Sequence, residues 1–411
     1  MTNSRIPGFH NLDRIARLDA LARACDLTQQ DLHELTMAAQ HHGDLADNLS
    51  ENVIGVMSVP LGVATNMTVD GTDVLVPMAT EESSVIAAVC NGARACRSTG
   101  GITTKADAPC MIAQIQVRDI DDIKTAITRL RHHASEIKDI CDQADPLLVK
   151  LGGGFREMDL RDVAPFLVIH LIVDVRDAMG ANAVNTMAEA LAPKIEDWTG
   201  GTVGLKILSN LADRRLIRAT ATWTASEIGA DVVDGIINAY AFAAADPYRA
   251  ATHNKGIMNG VSAVGLATGN DTRALEAGAH AFAAQNGYGP LTRYEKTAQG
   301  DLTGTLEMPM PVGIIGGATR AHPTAQIALK IMKADTAARL SSVIAATGLV
   351  QNFSALRALA TEGIQRGHMS LHARNVAIAA GATGADIARI AAKMIQNKTI
   401  REDVARDLLN D

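Results

Sequence analysis

The chain has 411 residues, 47% of them hydrophobic and 20% charged, with a formal net charge of −7. That length can bury a sizeable core in two or three domains, and an acidic chain with scattered basic residues is not primarily a nucleic-acid surface. Five dispersed cysteines without a C-x-x-C exclude a disulfide framework and a zinc site, and predict reduced thiols in a cytoplasmic protein. Aromatics are only 3%, so the core must be built from Ala, Val, Ile, Leu and 15 Met. An N-terminus without an apolar h-region, and no run approaching about 18 apolar residues, predict neither a secretory signal nor a membrane span.

Leu12, Ile15, Leu18, Leu21 and Ala22 form a helical stripe, and Thr28 and Asp31 start a second helix through Leu35 and Met37. Residues 57–76 alternate loosely around Asp70-Gly71, a hairpin signal. Glu81-Glu82-Ser83-Ser84 then lead into an apolar helix, Val85 to Cys96. From about 106 to 210 the pattern becomes strand, helix, strand, helix, strand, a compact α+β insert containing a Gly152-Gly153-Gly154 loop. Within it Met111 to Val117 and the continuous apolar run Phe166 to Val175 read as strands, Asp177 to Trp198 as a helix, and Val203, Leu205 and Ile207 as a strand. Ala-rich helical texture returns through 360, broken by a Gly/Pro turn region at 308–317. Glu362-Gly363 reads as a hinge before a tail with a helix bearing Ile387, Ile390, Met394 and Ile395.

Chemistry concentrates in a few stretches. In DPYRAATHNKGIMNG (246–260), Lys255 lies between His253-Asn254 and Gly256, with Asn259-Gly260 following. Gly and Asn-Gly suggest irregular chain presenting a cation beside amide donors, which suits an oxyanion; the bland alternative is a solvated surface lysine. No strand is followed by G-x-G-x-x-G with a distant acid, so a Rossmann site is not expected. At Asp177-Ala178-Met179-Gly180-Ala181-Asn182 a buried strand runs into small residues that open a helix, where N–H groups can meet a phosphate or where the glycine serves close packing. Glu81 and Glu82 before an apolar helix either complement its dipole, the reading the residues alone favour, or supply a proton donor with a raised pKa. His368 and His372 have metal-binding spacing but no H-E-x-x-H, so one His acting as a general acid on a mobile tail is the better reading.

Together ENVIG (51–55), VLVPMATEESS (74–84), LIVDVRDAMGANAVNTMAEA (171–190), DPYRAATHNKGIMNG (246–260), ATGND (267–271), GTLEMPMPVGIIGGAT (304–319), LVQN (349–352) and GIQRGHMSLHARN (363–375) resemble class II 3-hydroxy-3-methylglutaryl-CoA (HMG-CoA) reductases, most closely the bacterial mevalonate-degrading type. The resemblance implies an α+β fold: a large mixed α/β substrate domain (1–105 and 209–362) with an inserted ferredoxin-like, non-Rossmann dinucleotide-binding domain (106–208) and a C-terminal helical flap (363–411). It implies catalytic roles for Glu82, Lys255, Asp271 and His368, with Asp271 holding Lys255. HMG binding falls to Ser84, Arg249, Asn259 and Gln351, and cofactor binding to Asp145, Asp177, Met179, Gly180 and Asn182. It further implies NAD as cofactor, coenzyme A as co-substrate, no metal, and a homodimer with its active site at the interface, with dimers able to assemble further. His10 departs from the pattern, where a compared member has Arg near the CoA phosphates. The alternatives are an NADPH-using biosynthetic reductase, a Lys255 Schiff-base enzyme, and a non-catalytic CoA-ester-binding protein.

Overall fold

The computed structural model describes residues 12–24, 28–38, 40, 43–361 and 373–410. It divides into two compact units, Met1–Leu61 and Gly62–Asp411. In the first, helix α1 (Arg14–Ala24) follows Asp13, whose carboxylate accepts from the Ala16 amide at 2.8 Å, and the expected second helix is α2 (Gln29–Ala38). Arg14 ties α1 to α3 (Gly43–Leu49) through Asp47 at 3.1 Å.

The second unit contains two sheets. The larger has the order β2-β1-β3-β8-β10-β9, from β1 (Leu61–Val69), β2 (Thr72–Ala79), β3 (Ile102–Ala106), β8 (Leu216–Trp223), β9 (Thr292–Lys296) and β10 (Leu302–Pro309). The expected hairpin joins β1 to β2: Asp70 and Gly71 both take positive φ, 53° and 74°, the twist a two-residue hairpin turn requires. Strands β8 and β10 escaped the sequence reading. They do alternate, burying Ile217, Ala219, Ala221 and Trp223 on one strand and Leu302, Gly304 and Leu306 on the other. Their small Ala, Thr and Gly side chains give too little hydropathy contrast to separate period 2 from helical texture.

Helices α4 (Val85–Arg94), α9 (Ala225–Ile228), α10 (Ala230–Ala245), α11 (Pro247–Ala267), α12 (Thr272–Ala283), α13 (Gly317–Ala321), α14 (Pro323–Met332) and α15 (Ala337–Ala360) belong with this sheet. Their shared core draws on residues from both sides of the insert, among them Met78, Trp223, Val261, Leu306 and Phe353. By length and composition α15 passes for a membrane span, yet it is buried on every side from Leu340 to Phe353 within this core.

The smaller sheet, order β5-β6-β4-β7, is antiparallel throughout and has its own core, including Met111, Leu130, Leu171 and Leu191. Its strands are β4 (Cys110–Arg118), β5 (Gly154–Val163), β6 (Phe166–Asp174) and β7 (Thr202–Leu208). Helices α5 (Ile123–His132), α6 (Ala134–Ala144), α7 (Pro146–Lys150) and α8 (Ala181–Thr199) complete a β-α-β-β-α-β unit, the split βαβ arrangement of ferredoxin-like folds. Toward the C-terminus, helices Ala385–Gln396 and Glu402–Asn410 pack on each other around Ile390, Met394 and Ala405.

Candidate active site

The stretch around Lys255 is not irregular chain. Asp246 caps α11, its carboxylate accepting from the Arg249 amide at 2.8 Å, and Pro247 opens a helix that runs unbroken for 21 residues. The Asn-Gly pair at 259–260 makes no turn. Gly260 instead lets α11 press against α15: a side-chain carbon there would lie 3.1 Å from both Gln351 Cβ and the Thr347 carbonyl. Helix-to-helix contact, not a loop, is what the glycine serves, so the amide donors expected beside Lys255 are spent inside the helix.

On α11, Lys255 and Asn259 are one turn apart, while Arg249 shares the stripe of Gly256 and Gly260 at about 100° per residue. His253 and Asn254 point inward and are fully buried. Burial pushes the His253 imidazole down to about 3, with the Arg249 charge adding to the effect. Arg249 itself is held below its ordinary value by desolvation.

Lys255 Nζ donates to Glu82 Oε2 at 2.8 Å, across 173 residues of sequence. Of the two candidate carboxylates, the structure brings Glu82 to the lysine and leaves Glu81 exposed. With side chains 59% and 37% exposed, the ion pair adds little stability, so its value lies in placing the two groups together. Glu82 sits in the turn between β2 and α4, where Ser84 adopts φ 74°, a left-handed conformation that costs a non-glycine residue about 1–3 kcal/mol. Gln351 lies across from Gly260, 5% exposed, and its Oε1 is buried with no hydrogen-bond partner among the described residues. A buried acceptor left unpaired, on the helix packed against the one that carries Lys255, offers a hydrogen bond for a ligand.

Asp271 does not hold Lys255 in this structure. Its carboxylate caps α12, accepting from the Arg273 and Ala274 amides at 2.9 and 3.1 Å, and pairs with the Arg273 guanidinium at 3.2 Å. The Gly269-Asn270-Asp271 turn is tied to the 310–319 loop, since Asn270 accepts from the Gly313 amide at 2.8 Å and Gly269 from the Thr319 hydroxyl at 3.1 Å. That loop reaches the Asp177 turn: the Ile314 amide donates to the Asp177 carbonyl at 3.0 Å, and Ala178 bridges Ile315. Arg215, 5% exposed, clamps the junction by donating to the carbonyls of Ala178, Met179 and Val312. Burial pushes its guanidinium down to about 10. Sequence reasoning missed Arg215, because Asp213-Arg214-Arg215 reads as a charged surface turn.

Strand β6 does run straight into the turn that opens α8. Gly180 takes φ 103°, and a side-chain carbon there would strike Val175 at 2.6 Å, so only glycine fits. The N-cap Gly180 offers α8 no side-chain cap, and Asn182 is exposed in its first turn. The Asp177 carboxylate is partly engaged, accepting from the Ala337 amide at 2.8 Å. Asp145 caps α7 through the Leu148 amide at 3.0 Å, the structural role its place before Pro146 allowed. Residues 363–372, with His368, His372 and the hinge at Gly363, and His10 lie outside the described residues.

The family model for hydroxymethylglutaryl-coenzyme A reductase matches residues 13–373. The chain belongs to that family. It is 52% identical over 412 residues to a 3-hydroxy-3-methylglutaryl-coenzyme A reductase of Archaeoglobus fulgidus, covering 99% of this chain and 94% of that one. It is 35% identical to a probable reductase of Borreliella burgdorferi, over 81% of this chain and 78% of that one. Its fold matches the class II reductase of Streptococcus pneumoniae bound to NADPH in open conformations, with TM-score 0.77 and 36% identity, over 97% of this chain and 99% of that one. The chain is thus a class II member, and its activity is that of an HMG-CoA reductase, an oxidoreductase.

Proposed function

We propose that the chain interconverts (S)-HMG-CoA and (R)-mevalonate plus CoA with NAD(H), as a cytoplasmic homodimer serving mevalonate degradation. The observation that carries the catalytic reading is the Lys255–Glu82 contact at 2.8 Å, with the unpartnered Gln351 oxygen on the helix packed against α11. Arg249, Ser84, Asn259 and Gln351 bind the HMG group. Lys255 stabilises the oxyanion that develops on the thioester carbon's oxygen, and Glu82 moves the proton at that oxygen. Asp271 adds negative charge near the lysine helix, and His368 protonates the departing CoA thiolate, a poor leaving group unless protonated. The start of α8, where the N-cap Gly180 has no side chain to shield the amides, fits a dinucleotide, held by Asp177, Met179, Gly180 and Asn182, with Asp145 at the adenosine ribose. Two reduced nicotinamide cofactors, bound one after the other, would each supply one hydride, enough to take the thioester through a hemithioacetal and an aldehyde to the alcohol.

The homodimer reading draws support from Tyr248 and Leu266, 86% and 48% exposed on the same helix as Lys255. A second cofactor reading, NADPH use in the synthetic direction, is favoured by the NADPH named for the S. pneumoniae relative. Mevalonate plus CoA, assayed with NAD and NADP in parallel, decides. Faster turnover with NAD is expected; faster turnover with NADP overturns the cofactor reading, and no turnover with either overturns the catalytic one. Borohydride trapping of substrate on Lys255 would instead favour the Schiff-base alternative.

A further inference from the structure

We propose that Asn352 is a positioning residue that fixes Lys255 relative to Gln351, acting through the backbone of α11 without touching substrate. The inference rests on the catalytic reading of Lys255 given above. Asn352 is 1% exposed, and both ends of its amide are engaged. Oδ1 accepts from Thr292 Oγ1 at 3.1 Å and from Tyr294 Oη at 3.0 Å, both on β9. Nδ2 donates to the His253 carbonyl at 3.3 Å, on α11. The His253 side chain joins the same node, its Nε2 lying 2.5 Å from Thr292 Oγ1. One residue of α11, two positions before Lys255, is therefore gripped by backbone and by side chain together.

A carbonyl inside a helix already accepts from the fourth residue on, so a second donor needs an approach along the helix surface. Gly256 leaves that approach open. A side-chain carbon there would sit 4.0 Å from Asn352 Nδ2, already at van der Waals contact. Asn352 also follows Gln351 directly in the fully buried stretch of α15, so one amide sets the relation between the two substrate-facing groups. Its neighbour Phe353 shows what packing alone looks like at this depth, stacking on Trp223 at 4.0 Å with rings nearly parallel. An amide bonded at both ends in an apolar core specifies geometry that apolar packing leaves loose, and misplacement of about 1 Å near a reacting centre can cost about 100-fold in rate.

The test compares Asn352→Leu, Asn352→Ser, Gly256→Ser, Tyr294→Phe, Phe353→Leu and Lys255→Ala in the full-length enzyme. Measurements are kcat for HMG-CoA reduction, Kd for CoA by calorimetry, and Tm. Both Asn352 variants should lose at least tenfold in kcat with Kd for CoA within twofold. Gly256→Ser, whose hydroxyl can compete with Asn352 for the His253 carbonyl three residues back, should move kcat in the same direction and serves if the Asn352 variants do not fold. Tyr294→Phe keeps the Nδ2 contact and should stay within threefold in kcat, as should Phe353→Leu despite an equal or larger fall in Tm. Loss by Phe353→Leu matching that of Asn352 at equal Tm, or retention of kcat by the Asn352 and Gly256 variants while Lys255→Ala is inactive, overturns the inference alone. Retention of kcat by Lys255→Ala overturns the reading of the site, and the inference with it.

Discussion

At the scale of single residues, the contrast between Lys255 and His253 is instructive. They are two positions apart on one helix, one exposed with its charge paired to Glu82, the other buried and neutral. Lys255→Ala should lower kcat by about 10²–10³, the usual cost of a lost oxyanion donor, with Tm nearly unchanged because the exposed pair contributes little. An enzyme that keeps most of its kcat would remove Lys255 from the chemistry. His253 makes a different prediction. Its folded value of about 3 lies below the unfolded value of 6.5, so between those pH values the unfolded chain binds a proton that the native state refuses. Stability is then unaffected above pH 6.5 and falls as the pH drops toward 3. At pH 4.5 the loss from this group is on the order of 2–3 kcal/mol. His253→Gln should therefore flatten urea-unfolding stability between pH 7 and 4.5; an unchanged acid dependence would mean the imidazole is not held neutral.

At the scale of elements, caps and crossings carry the argument. Asp271 is both a predicted catalytic carboxylate and the cap of α12, and the two roles separate by substitution. Asp271→Ala should cost about 1 kcal/mol of stability through the lost cap, while Asp271→Asn keeps an acceptor for the amides and should retain Tm. Both should lose most activity; an active Asp271→Asn would reduce Asp271 to a cap. Gly260 tests the crossing of α11 and α15. Gly260→Ala gains helix propensity of about 1 kcal/mol but forces contacts at 3.1 Å on Gln351 and Thr347, an overpacking cost of about 1–3 kcal/mol. The expected result is a modest fall in Tm with a raised KM for HMG-CoA, since Gln351 must give way. A stabilised variant with unchanged KM would show that the helices have slack there.

At the scale of the whole molecule, the exposed Tyr248 and Leu266 on the helix that carries Lys255 argue that α11 is covered in solution. Sedimentation should find a dimer, and Tyr248→Asp should shift it toward monomer with activity that falls on dilution. A fully active monomer would rule out the shared site. Much of this was legible in the sequence. The Asp70-Gly71 hairpin, the strand entering the Asp177 turn, the apolar helix after Glu82 and the motif set itself are local patterns, fixed by turn chemistry, periodicity and composition. Elements that differ from their sequence pattern share a cause as well: Lys255 reads as a loop residue because Gly and Asn-Gly ordinarily mark turns. Only the packed structure shows that those glycines face another helix. Whereas the Asp271 cap is local, on amides two and three residues along, the packed structure alone brings Glu82, already singled out by the resemblance, to Lys255. It also decided that Arg215 is buried and that Asn352 grips α11. The contacts of Glu82, Arg215 and Asn352 join residues 36 to 173 apart in sequence, and no period or propensity along the chain encodes which side chains meet once the layers close.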